Sequence, residues 1–118
     1  MEQETFHDKL KNKMDAYAHK VYAITKSFPR DELYGVVSQL RRAALSVILN
    51  YIEGYARKGD KVHRNFLQIS YGSLKESKYL LHFSLIEGYC LIPLQLKAHF
   101  PNQLKLFELQ IAPDKIFL

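Results

Sequence analysis

Apolar residues recur at spacings of three and four along most of this chain, and before Pro93 proline stands at Pro29 alone. That spacing gathers apolar side chains on helix faces, and no useful stretch shows the period of two that a half-buried strand requires. The first stripe, Leu10, Met14, Tyr17, Val21, Ile24 and Phe28, predicts one helix, with Lys11, Lys13, His19, Lys20 and Lys26 off the stripe. Phe28-Pro29 should end it, because proline disfavours helical backbone in the residue before it. A second helix should open near Asp31-Glu32, whose charges suit the positive end of the helix dipole, and run to about Lys58. Its core positions are Leu33, Val36 or Val37, Leu40, Ala44, Val47 and Tyr51. Gly59 suits a left-handed C-terminal cap, and Asp60 can N-cap a third helix from Lys61 to Glu87.

The third helix carries two apolar stripes: Val62, Phe66, Ile69, Leu80 and Phe83, then Leu67, Leu74, Leu81 and Leu85. One stripe lines a core. The other needs a fourth helix or a second chain to cover it, which predicts a homo-oligomer. Beyond Gly88, Pro93, Pro101 and Pro113 interrupt apolar-rich sequence. A short fourth helix is expected from about Pro93, broken near Pro101, where Asn102 could cap residues 103–110. The expected fold is all-α, an antiparallel up-down-up-down four-helix bundle whose fourth helix is short or interrupted by proline.

At 118 residues the chain suits one domain spanning 1–118 with a core that needs no staples. Its formal net charge of +5 favours acidic partners such as nucleic acid without locating a site. One cysteine, Cys90, excludes an internal disulfide and any Cys-rich zinc motif. The polar Met1-Glu2-Gln3-Glu4 start is unlike a secretory signal, and no uncharged apolar run suits a bilayer. The expectation is a cytoplasmic protein without membrane contact.

A helical bundle raises the question of a di-metal carboxylate site, built from inward glutamates and Glu-x-x-His pairs. The one such pair is Glu4-Thr5-Phe6-His7, at a terminus expected to fray, and Glu53 and Glu76 have no histidine three residues on. There is no His-x-x-x-His pair, no Gly-x-x-x-x-Gly-Lys phosphate loop and no Gly-x-Ser-x-Gly turn. No catalytic residue, metal or cofactor is expected, and the chain reads as a non-enzyme.

Two polar features stand out instead. Gln39, Arg42, Ser46, Asn50, Glu53 and Arg57 recur at helical spacing along the second helix, flanked by Ala43, Leu45, Leu49 and Ile52. With Arg41, and with Glu76 as a counter-charge for Arg41 or Arg42, this stripe is a candidate hydrogen-bonded interface that would set partner choice more than stability. The plainer reading is a solvated helix face. The second feature is the turn holding Arg57, Lys58, Lys61 and Arg64, a candidate nucleic-acid surface at the end of the bundle shared by Lys9, Lys11 and Lys13. No aromatics interleave with it in sequence, so binding there should be electrostatic and weakly sequence-specific.

The run from Gln39 to Gly54, QLRRAALSVILNYIEG, resembles the signature of the 23S rRNA intervening-sequence protein family, also called the four-helix bundle protein family. Phe28-Pro29 and Glu32 before it, and the run from Phe66 to Glu76 after it, fit the same family over roughly residues 6–90. The resemblance implies a bacterial origin and a homopentameric bundle. It also implies kinship with the accessory protein of diversity-generating retroelements, a basic pentamer that binds nucleic acid and a reverse transcriptase. After Leu91 the chain departs from the family's polar, proline-free fourth helix. The leading expectation is a self-associating protein that binds RNA, DNA, a reverse transcriptase or another nucleoprotein through its basic surface. The alternative is a purely structural protein–protein interaction module.

Overall fold

A computed structural model describes residues 5–90, and among them the chain is all-α, with no strand. Helices α1 (Phe6–Thr25), α2 (Ser38–Ala56) and α3 (Asp60–Ile86) run in alternating directions. α2 packs extensively on α3 and less extensively on α1. The expected fourth helix, with Pro93, Pro101 and Asn102, lies outside the described residues.

The terminus expected to fray is capped. The Thr5 hydroxyl accepts from the Asp8 N–H at 3.1 Å, and Asp8 Oδ2 accepts from the Thr5 N–H at 3.3 Å. This reciprocal box satisfies two N–H groups that the first turn leaves unpaired. α1 stops at Thr25, three residues earlier than the proline rule suggests. The Thr25 hydroxyl donates to the Val21 and Tyr22 carbonyls, and Phe28 folds back into the core.

The second helix is where the expectation changes most. A 3-10 turn (Arg30–Glu32) and a wide turn (Leu33–Val37) precede α2, with Gly35 at φ −111°, ψ −110° kinking the chain inside the wide turn. Glu32 lies beside the kink, and its carboxylate accepts from the Val36 N–H at 3.3 Å. A β-carbon on Gly35 would stand 2.8 Å from that carboxylate, so glycine leaves room for the bond. The kink breaks the helical period, and Leu33 is exposed although it stands one heptad before Leu40. Val37, Leu40, Ala44, Val47 and Tyr51 are buried as their spacing predicts.

Gly59 has positive φ (102°), with ψ at 130°, outside the left-handed helical region. It serves as the N-cap of α3, and Asp60 is the first helical residue, not the cap. Of the two stripes on α3, Leu67, Leu74 and Leu81 enter the core with Leu85 packed against it, while Val62 and Ile69 are exposed. Leu80, from the exposed row, is buried.

Four serines join them. Ser70, Ser73, Ser77 and Ser84 are buried on α3. The Ser70 hydroxyl donates to the Val47 carbonyl of α2 at 2.6 Å, and Ser73 bonds Ser46 at 2.7 Å. Ser77 and Ser84 return their protons to the Leu74 and Leu80 carbonyls of their own helix. A hydroxyl satisfied in this way is a small, nearly neutral core group that lets backbones approach.

Candidate functional site

The start of α1, the end of α2 and the start of α3 meet at one end of the molecule, and the contacts there are aromatic. The Tyr51 hydroxyl lies 2.9 Å from His7 Nδ1, and the Tyr55 hydroxyl 3.1 Å from His7 Nε2. A neutral imidazole donates through one nitrogen and accepts through the other, so His7 joins the two tyrosines into one directional chain. Burial, with Tyr55 adjoining, pushes the Tyr51 phenol well above its ordinary range. His63 of α3 bonds the Gly54 carbonyl at 2.7 Å through Nδ1. A carbonyl only accepts, which places the His63 proton on that nitrogen.

Ring contacts continue across this end, from Phe6 to His7 at 5.6 Å, His7 to Tyr55 at 4.3 Å and Tyr55 to His63 at 4.7 Å. The absence of aromatics expected at the basic end is therefore corrected. They come from three helices, and the chain separates them by up to half its length. The sequence predicts Tyr51 only as a core position; its spacing to Tyr55, one helical turn on, is the signal that could have found the pair. The role of His7 depends on where α1 begins.

Around this row stand the basic candidates. Lys58 and Lys61 are exposed. Arg57 pairs with Glu53 at 2.7 Å and its guanidinium lies 5.9 Å from the Phe66 ring centre. Arg64 is exposed and makes contacts of its own. Lys9, Lys11 and Lys13 are exposed on α1, while Asp8 is held acidic first by the Thr5 hydroxyl and then by its backbone. A cleft of about 230 Å³ opens here, lined by His7, Asp8, Lys11, Tyr51, Ile52 and Tyr55.

The polar stripe of α2 is partly drawn together. Asn50 Nδ2 donates to the Ser46 carbonyl at 2.8 Å and to the Ser46 hydroxyl at 2.7 Å, and Ser46 reaches Ser73. Ser46, Asn50 and Glu53 are half-buried, and Gln39 and Arg42 are exposed. Arg41 faces α1 instead. Its Nε donates to the Thr25 hydroxyl at 2.9 Å and its guanidinium lies over the Tyr22 ring at 4.7 Å. Glu76 is exposed, and among the described residues no ion pair joins it to Arg41 or Arg42. Beside this stripe, Leu45, Leu49 and Ile52 of α2 and Val62 and Ile69 of α3 are exposed.

Among the described residues no three His, Cys, Asp or Glu side chains gather to hold a metal ion, and no helix is long and apolar enough to cross a membrane. No curated protein matches the chain. Residues 8–100 match the family described as 23S rRNA-intervening sequence protein. That span takes in α1 from Asp8 onward, all of α2 and α3 and the runs Gln39–Gly54 and Phe66–Glu76, and the chain belongs to the 23S rRNA-intervening sequence protein family.

Proposed function

We propose that this chain is a non-enzymatic, self-associating four-helix bundle protein of the cytoplasm, assembling preferably as a homopentamer, whose basic end engages nucleic acid. The observation carrying the reading is the outer face of α2. Leu45 and Leu49 lie exposed on the side of the helix opposite Leu40, Val47 and Tyr51. A helix apolar on both sides belongs between two layers, and the described residues supply one of them. Val62 and Ile69 extend the apolar surface onto α3, and the half-buried Ser46, Asn50 and Glu53 give it polar groups that fix register.

In this reading Gln39, Arg42 and Glu76 pair across copies, and the sequence beyond Pro93 supplies the fourth helix. Each copy repeats Arg57, Lys58, Lys61 and Arg64, so a modest basic turn becomes a ring suited to phosphates. Sedimentation equilibrium at micromolar concentration should give several multiples of 13.8 kDa, five preferred. Leu49→Lys together with Ile69→Lys should return it to one. A monomeric parent overturns the assembly. Binding to a structured RNA should fall steeply with salt, and Lys58→Ala with Lys61→Ala should flatten that dependence. Absence of binding at low salt leaves the structural interaction module, without the nucleic-acid role.

A further inference from the structure

The row of rings at the basic end does something that charge alone does not. We propose that the cleft between His7, Lys11, Tyr51, Ile52 and Tyr55 receives one unstacked base of a single-stranded nucleic acid; this rests on the nucleic-acid reading above and makes it specific to single strands. The platform is Tyr55. The residue is 46% exposed, yet its ring is held from three sides, by His7 at 4.3 Å, Tyr51 at 5.0 Å and His63 at 4.7 Å. Its hydroxyl is bonded to His7 Nε2. An aromatic ring with an open face and a fixed orientation loses little freedom when a base stacks on it.

Size and charge select the occupant. The cleft, about 230 Å³, is smaller than the roughly 300–1,000 Å³ of sites that enclose drug-sized ligands. It has room for a planar ring system, with the sugar and phosphate left outside. Outside stand Lys11, on the lip, Lys58 in the turn after α2 and Lys61 in the first turn of α3, all exposed cations. Asp8, the acid in the lining, has Oδ2 committed to the Thr5 N–H and hydroxyl. In a duplex the bases are stacked and paired, so their faces cannot reach Tyr55. A single strand presents base and phosphate together.

The test compares a labelled oligouridylate of twelve nucleotides with a blunt twelve-base-pair RNA duplex, by fluorescence anisotropy at one low salt concentration. The parent should prefer the single strand. Tyr55→Leu should weaken single-strand binding about tenfold and leave duplex binding unchanged, and Tyr55→Phe, which keeps the ring, should restore it. On the unmodified protein, photocrosslinking with an oligonucleotide carrying 4-thiouridine should mark Tyr55 or its neighbours in the cleft. Equal loss for both probes in Tyr55→Leu, or crosslinks confined to other surfaces, overturns the base site while salt-dependent duplex binding keeps the wider reading. Failure of both probes to bind overturns the two together.

Discussion

α2 meets its two neighbours through opposite kinds of contact. Towards α3 it presents Ser46, the Val47 carbonyl and the buried Gly54, which meet Ser73, Ser70 and a close-lying Phe66. On the α1 side the contacts come from large groups: Met14, Tyr17 and Val21 are buried in the shared core, and Arg41 and His7 reach across from either helix. Small groups bring backbones close and leave no slack for enlargement. Long side chains fill a wider space and leave a hole when they are shortened.

Shortening on the α1 side tests this most sharply. Met14 is fully buried, and Met14→Ala should cost about 2–5 kcal/mol in urea unfolding followed by circular dichroism. A loss well under 1 kcal/mol would mean that α1 collapses onto α2 and that the comparison is wrong. Next comes Tyr17, a long side chain that ties α1 to α3. The Ser77 proton goes to the Leu74 carbonyl, so Tyr17 donates to the Ser77 oxygen. Burial, partly offset by this serine, raises the Tyr17 phenol to about 12 from 10.0. The neutral phenol is the form favoured in the folded state. Its contribution is therefore complete below pH 10 and is lost as pH climbs through 12, at about 1.4 kcal/mol per unit. Tyr17→Phe should flatten the alkaline limb of a stability–pH curve, and an unchanged limb would place its cause elsewhere. The smallest effect belongs to enlargement on the α3 side. A β-carbon on Gly54 would stand 3.0 Å from Phe66 Cβ, so Gly54→Ala should cost about 1–2 kcal/mol despite alanine's better helix propensity. Equal or greater stability, read in the same unfolding experiment, would show that α2 and α3 have room to part.

The same contrast explains what the sequence made legible. Met14, Val21, Leu40 and Val47 advertise themselves, because a large apolar group at helical spacing has few places to go except a core. The serines of α3 do not. Nothing in the letters distinguishes a solvated hydroxyl from one bonded to a helix carbonyl or a neighbouring hydroxyl, so two apolar stripes stood out and Ser70, Ser73, Ser77 and Ser84 between them did not. Leu33 misled in the other direction. Its spacing to Leu40 is a core spacing, and the kink at Gly35 cancels it. At the candidate site the charge of Lys58 and Lys61 could be read directly from adjacent residues. The ring contacts could not, because His7 lies 44 residues from Tyr51 and 48 from Tyr55.

Those separations carry a consequence for the order in which the molecule assembles. The bonds between α2 and α3 close loops of 9 residues at Gly54–His63, 23 at Val47–Ser70 and 27 at Ser46–Ser73. Those made by α1 close 16 residues at Thr25–Arg41, 44 at His7–Tyr51 and 60 at Tyr17–Ser77, none as short as the 9 at Gly54–His63. Shorter loops forfeit less chain entropy before contact rewards it, so the short connection at Arg57–Gly59 makes the α2–α3 hairpin the natural nucleus. α1 then docks on a pair already formed. Changes at Gly54 or Ser70 accordingly act on the rate at which the chain folds, and changes at Met14 act mainly on the rate at which it comes apart.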